Sequence, residues 1–126
     1  MDKKVLILCT GNSCRSIMAE ALINAKINGI VAHSSGVKAS GIVNPNAKKI
    51  LQVKGIWKDE YHSKTLDKVI SNTYDLVVTV CDNANEVCPL FPKTTKVIHI
   101  GFEDPDTKGF EEFEKTYSEI EKSLIP

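Results

Sequence analysis

Short apolar runs alternate with amphipathic stretches along most of the chain. KKVLILC at residues 3–9 is continuously apolar after its two lysines. That is the pattern of a strand buried on both faces of a parallel sheet. SIMAEALINAKI at 16–27 changes period: Ile17, Ala21, Leu22 and Ala25 recur at helical spacing, and Gly29 follows as a stop. IVAHS at 30–34 reads as a second, weaker strand. Asn44-Pro45 predicts a helix start, an N-cap followed by proline at the first helical position. That helix carries Ile50 and Leu51 and ends at Gly55. Residues 56–74 show no clear period beyond a short helix near 66–71. DLVVTVC at 75–81 is the third strand, and NANEVC at 83–88 a short helix stopped by Pro89. KVIHIG at 96–101 is the fourth strand and 101–109 a loop. The stretch 110–125 predicts an amphipathic helix with Phe110, Phe113, Tyr117, Ile120 and Leu124 on one face.

Strands alternating with helices predict an α/β fold, a parallel sheet with right-handed crossovers. In such open sheets ligands bind beyond the carboxyl ends of the strands, at the topological switch point. A strand order of 2-1-3-4 makes the first and third strands neighbours. Cys9 ends the first, Cys81 ends the third, and Asp104 lies just past the fourth. All three then face one crevice.

A length of 126 residues predicts a single domain spanning 1–126. Such a chain buries roughly two-thirds of its surface on folding and needs no disulfide or metal for stability. Lys+Arg and Asp+Glu are 16 each, so no long-range field draws nucleic acid or an anionic membrane. An anion must be bound by a local site. The apolar run before Cys9 is too short for a signal peptide, and no stretch approaches the roughly 20 apolar residues of a membrane span. A cytoplasmic location is expected. There, Cys9, Cys14, Cys81 and Cys88 are inert thiols, metal ligands or reactive thiols rather than permanent disulfides. Zinc is disfavoured, because only the first pair has knuckle spacing.

CTGNSCRS at 9–16 carries the chemistry. A loop entering a helix N-terminus directs backbone N–H groups and the helix dipole toward an anion. Gly11 permits positive φ, and Asn12 tolerates it better than most residues. Thr10 and Ser13 are small enough to leave the amides open. Arg15 adds a planar, two-pronged donor suited to an oxyanion with adjacent oxygens. The loop therefore predicts a site for phosphate, arsenate or a similar tetrahedral anion. The same field lowers a thiol from about 8.5 to roughly 3.5–7.5, making Cys9 a thiolate nucleophile. Ser16 could donate to its sulfur. Cys14 is expected to face inward as a structural residue. The Walker spacing G-x-x-x-x-G-K is missing.

Cys9-x5-Arg15-Ser16 followed by MAEA at 18–21 resembles the active-site loop of the low-molecular-weight protein tyrosine phosphatase superfamily. Within it, DLVVTVC, Cys88-Pro89 and GFEDP at 101–105 are most similar to the thioredoxin-coupled arsenate reductases. The resemblance covers nearly the whole chain, with all motifs in order. It implies a flavodoxin-like three-layer fold with helices on both faces of a four-stranded sheet. It implies arsenate as substrate, with phosphate and sulfate as competing oxyanions, and thioredoxin as partner. Cys9 is then the nucleophile, Arg15 the oxyanion clamp and Asp104 the acid. Thr10, Gly11, Asn12, Ser13, Cys14 and Ser16 complete the binding loop. Cys81 attacks Cys9 and releases arsenite, and Cys88 attacks Cys81 to leave a Cys81–Cys88 disulfide. Some such reductases bind potassium beside the loop. Asn12, Glu20 and Ser34 match three ligand positions, while Thr65 stands where the fourth is usually acidic. His33, His62 and His99 are too scattered to suggest a metal site.

Two other readings stay open. A phosphatase would begin with the same thiolate attack but needs only water to finish. A tyrosine phosphatase also needs an aromatic wall, and the resemblance puts its rings just after the Asp-Pro. Asp106, Thr107 and Lys108 stand there instead, and Trp57 and Tyr61 are more ordinary as core caps. A phosphocarrier would hold phosphate on Cys9 and have no use for Cys81 and Cys88. The relay carries a geometric demand. If 81–88 is helical, its ends lie roughly 10 Å apart along the axis, whereas a disulfide needs Cα atoms within about 7 Å. Oxidation should therefore unwind the segment, and amide exchange at 82–88 should be faster in the oxidised protein than in the reduced one. Equal exchange in both forms would count against the relay.

Overall fold

A computed structural model describes residues 3–66, 69, 73–80, 95–102, 105 and 108–125. Its elements run β1 (Lys3–Cys9), α1 (Arg15–Lys26), β2 (Ile30–Gly36), α2 (Pro45–Val53), β3 (Leu76–Thr79), β4 (Lys96–His99) and α3 (Phe110–Leu124). The strands form one parallel sheet, as the alternation of elements predicts, and their order is the expected β2-β1-β3-β4. β1 is central. Leu6, Ile7 and Leu8 are fully buried, which explains why its apolar run does not alternate.

β2 runs two residues beyond the expected strand, because its pairing with β1 continues to Cys9 opposite Gly36. β3 and β4 are shorter as strands than the apolar runs suggest. Single hydrogen bonds prolong them, from Val80 N–H to the Leu8 carbonyl and from Ile100 N–H to the Thr79 carbonyl. Gly29 takes φ +83° in the turn after α1, a conformation that favours glycine. At α2, Asn44 Oδ1 accepts from the Asn46 N–H at 2.9 Å and Pro45 fills the first helical position. Of the expected helix near 66–71, one bond is described, from Val69 N–H to the Leu66 carbonyl. The other residues of that segment that matter here, and the whole of 83–88, lie outside the described residues.

α1, α2 and α3 pack against one another, and α1 also packs on β1 and β2. α3 buries Phe113, Tyr117 and Ile120 as its periodicity predicts, with Phe110 and Leu124 partly buried at its ends. Thr116 joins that face, its hydroxyl satisfied by the Glu112 carbonyl at 2.9 Å. The fixed β1–α1 pair sets where residues 10–14 must cross from strand to helix.

One glycine governs that crossing. A Cβ at Gly36 would lie 2.5 Å from the Thr10 carbonyl oxygen and 3.1 Å from Asn12 Cβ. Backbone occupies that space and cannot swing aside. Gly36→Ala should destabilise the fold by about 1–3 kcal/mol and weaken oxyanion binding. Thermal melts and phosphate titration of the variant check both effects.

Candidate active site

The loop of residues 10–14 is shaped from its outer side. The carbonyl of Cys9 accepts from Val37 N–H at 3.0 Å and that of Thr10 from Lys38 N–H at 3.0 Å. The Gly11 carbonyl accepts from Ser40 N–H and from Ser63 Oγ, each at 3.0 Å. The Ser13 carbonyl accepts from Asn44 N–H at 2.9 Å. No peptide here is cis. In a trans peptide the N–H opposes the C=O. Committing these carbonyls outward therefore turns the N–H groups of Thr10, Gly11, Asn12 and Cys14 the other way. A cavity of about 220 Å³ lies there, lined by Cys9, Thr10, Gly11, Ser13, Cys14 and Arg15, with Ser40 at one side.

Asn12 stands at φ +48°, left-handed and fully buried. Its Nδ2 donates to Ser16 Oγ at 2.7 Å and to Ser34 Oγ at 2.9 Å, and its Oδ1 accepts from Lys64 N–H at 2.8 Å. Every polar atom of the amide is used. Ser34 in turn donates to Glu20 Oε1 at 2.5 Å. Burial pushes the Glu20 carboxyl above its ordinary range, against the Lys64 charge and the Ser34 hydrogen bond, which lower it.

Arg15 begins α1 and is 9% exposed. Its Nη1 donates to the Phe102 carbonyl at 3.0 Å, which ties the guanidinium to the segment after β4. Cys9 is 3% exposed and faces the cavity. Cys14, at the N-cap of α1, is buried as expected, but its side also lines the cavity, and its Sγ lies 3.5 Å from Ser13 Oγ. The arrangement offers a thiol, a guanidinium and a ring of amides around a space sized for a small anion. No aromatic ring lines it among the described residues. Trp57 and Tyr61 instead pack edge to face on each other, centroids 5.8 Å apart.

Cys81, Cys88 and Asp104 lie outside the described residues. Their neighbours are described: Val80 is buried and bonded to the Leu8 carbonyl, and Phe102 is the residue that holds Arg15. The histidines are separately engaged. His99 meets Thr79 Oγ1 at 2.8 Å, His62 the Glu60 carbonyl at 2.8 Å, and His33 the edge of Tyr74. Burial, with help from Lys64 and Lys4, pushes the His33 pKa down. Among the described residues no cluster of His, Cys, Asp or Glu could hold a metal ion.

Sequence reasoning missed Gly36, Ser40, Ser63 and Lys64. Ser63 Oγ bridges the Gly11 carbonyl and the Gly41 N–H, the latter at 3.1 Å. These residues come from stretches without periodicity, and their role depends on long-range approach.

The sequence profile of the low molecular weight phosphotyrosine protein phosphatase family matches residues 4–125. A protein from Staphylococcus haemolyticus named arsenate reductase 2 is 42% identical over 127 residues, covering 98% of this chain and 95% of its own. The crystal structure of an arsenate reductase from Archaeoglobus fulgidus superposes with a TM-score of 0.81 at 34% identity, covering 94% of each chain. A low molecular weight protein tyrosine phosphatase from T. tengcongensis gives 0.80 at 27% identity, over 96% of this chain and 94% of its own. With the loop, the sheet order and the profile in agreement from end to end, the chain belongs to the low-molecular-weight phosphotyrosine protein phosphatase family.

Proposed function

We propose that this chain reduces arsenate to arsenite. The observation that carries the reading is the small cavity walled by Cys9, Arg15 and the loop amides, with no aromatic among its described lining. It fits an inorganic oxyanion better than a phosphotyrosine ring. The names of the 42% identical relatives point the same way.

The Cys9 thiolate attacks arsenic(V), forming an S–As bond while one oxygen leaves as water. Asp104 supplies the proton for that oxygen. Arg15 and the amides of residues 10–15 stabilise the charge on the remaining oxygens. Thr10, Gly11, Asn12, Ser13, Cys14 and Ser16 contribute backbone or scaffold rather than chemistry. The Cys81 thiolate then attacks Cys9 Sγ. An S–S bond forms, the S–As bond breaks, and its electron pair leaves with arsenic, now arsenite. The Cys88 thiolate attacks Cys81 Sγ and frees Cys9 as thiolate. A reduced dithiol protein of the thioredoxin class takes the Cys81–Cys88 disulfide back to two thiols. Val80 beside Leu8 supports this order, since Cys81 is its chain neighbour and Cys9 follows Leu8. Phosphate and sulfate share the tetrahedral shape and should compete.

The family match also supports a second reading, hydrolysis of a phosphate ester through cysteinyl-phosphate. Variants separate the two. Cys9→Ser should lower either activity by roughly a thousandfold or more. Asp104→Asn should slow the first step by about 10²–10⁴-fold. Cys88→Ser should abolish multiple turnover of arsenate with reduced thioredoxin while sparing phosphate-ester hydrolysis. Arsenite release measured with each variant checks the assignment. Undiminished turnover by Cys88→Ser would sink the relay.

A further inference from the structure

Two donors converge on the Gly11 carbonyl, the Ser40 N–H and the Ser63 hydroxyl, each at 3.0 Å. A carbonyl can only accept, and the Gly41 N–H, 3.1 Å from Ser63 Oγ, can only donate. The direction of the hydroxyl proton is therefore fixed, from Ser63 to Gly11. The consecutive N–H groups of Ser40 and Gly41 thus both bear on one carbonyl, the first directly and the second through Ser63. Ser63 is 9% exposed, so little solvent reaches these bonds.

The peptide that begins with this carbonyl ends in the Asn12 N–H. It is trans, so the N–H opposes the carbonyl and is aimed at the oxyanion cavity. Two donors on the carbonyl fix the plane of the peptide, and each polarises it, which strengthens the N–H as a donor. Ser63 acts from behind. It lines a separate cavity of about 460 Å³ with Ala39, Gly41 and Lys64, whereas the oxyanion cavity is walled by the loop itself and by Ser40. The main chain beside it is anchored independently, with the Lys64 N–H on Asn12 Oδ1 at 2.8 Å and the Lys64 carbonyl on the Gly36 N–H at 2.9 Å. The first of these bonds turns Asn12 Nδ2, a donor, toward Ser34, and a donor there does not fit a resident potassium ion, which needs oxygen lone pairs.

We propose that Ser63 is a positioning residue for oxyanion capture: its hydroxyl holds the Gly11–Asn12 peptide with its N–H aimed at the anion, and couples residues 40–41 at the cavity rim to that peptide. Ser63 touches no substrate. It acts through the Gly11 carbonyl on the Asn12 amide.

The inference rests on the loop as an oxyanion site, and its test does not need arsenate reduction. The full chain and its Ser63→Ala, Ser63→Thr, Ser63→Cys and Thr116→Ala variants are titrated with inorganic phosphate while the backbone amides of Thr10 and Asn12 are followed by NMR. Ser63→Ala should lose about two- to tenfold in phosphate affinity. Ser63→Thr keeps the hydroxyl and should keep the affinity, and Ser63→Cys, a weaker donor, should fall between. Phosphate should move the Asn12 amide proton less in Ser63→Ala than in the unmodified chain. It should move that of Thr10 equally, because the preceding Cys9 carbonyl is held by Val37. Thr116→Ala removes another buried hydroxyl, bonded to the Glu112 carbonyl within α3, and should lower the Tm without changing the affinity. A purely structural role for Ser63 gives Ser63→Ala that same behaviour. Undiminished affinity or an unchanged Asn12 response in Ser63→Ala therefore overturns the proposal. So does a loss that neither Ser63→Thr nor Ser63→Cys recovers in part, or an equal loss in Thr116→Ala. If Ser63→Ala does not fold, equal affinities of Ser63→Thr and Ser63→Cys overturn it. Failure of the unmodified chain to bind phosphate overturns this proposal and the oxyanion reading together. Phosphate binding without arsenate turnover sinks only the reductase reading.

Discussion

The site hangs on the buried amide of Asn12. Its backbone is left-handed at φ +48°, a conformation that costs a non-glycine residue roughly 1–2 kcal/mol. Its three hydrogen bonds, each about 0.5–1.5 kcal/mol net, more than offset that cost. They reach α1 through Ser16, β2 through Ser34 and the 63–65 segment through Lys64. Three separate parts of the chain thus meet on one side chain. The loop carbonyls then find their outer partners, and the amides are left facing the cavity. The binding surface is a consequence of its back face, and no residue that touches the anion could create it alone.

Electrostatics gives that arrangement its purpose. The chain carries 16 basic and 16 acidic residues, so it offers no global field to gather a dianion. Attraction must come from the groups at the cavity wall. Backbone amides and a helix N-terminus supply partial charges that need no counter-ion and no rearrangement when the anion arrives. One full charge, Arg15, is held nearly buried beside them. Glu20 lies buried on α1, and burial pushes its carboxyl above the ordinary range, which weakens any negative field it would set against the pocket.

Where burial is complete, the sequence is easily read. β1 is a run of apolar residues because both its faces are covered, and α3 shows its buried face at helical spacing. The signature at 9–16 is legible for a different reason: the glycine, the asparagine and the arginine each have few alternative uses at that spacing. β2 is harder, since its last residues are Ser34, Ser35 and Gly36, polar or small yet fully ordered by pairing with β1. Lys64 and Ser63 are harder still. Lys64 acts through its main chain, beside a bridge from Thr65 to Gly36, and Ser63 through a hydroxyl set on the main chain of Gly11 and Gly41, and such contacts leave no pattern along the chain. Gly36 is the instructive case. Its requirement comes from the Thr10 carbonyl 26 residues away in sequence, so only the folded chain reveals it.

Arg15 explains why the far end of the sheet matters to a loop at its centre. A guanidinium has five N–H donors in one plane, and the bond from Nη1 to the Phe102 carbonyl fixes that plane at the wall of the cavity. Lysine could match the charge but not be held in this way, because an ammonium has no plane to fix. The carbonyl that orients the clamp lies two residues before Asp104 in the chain. Movement of that main chain would therefore act on the proposed acid and on the plane of the clamp together.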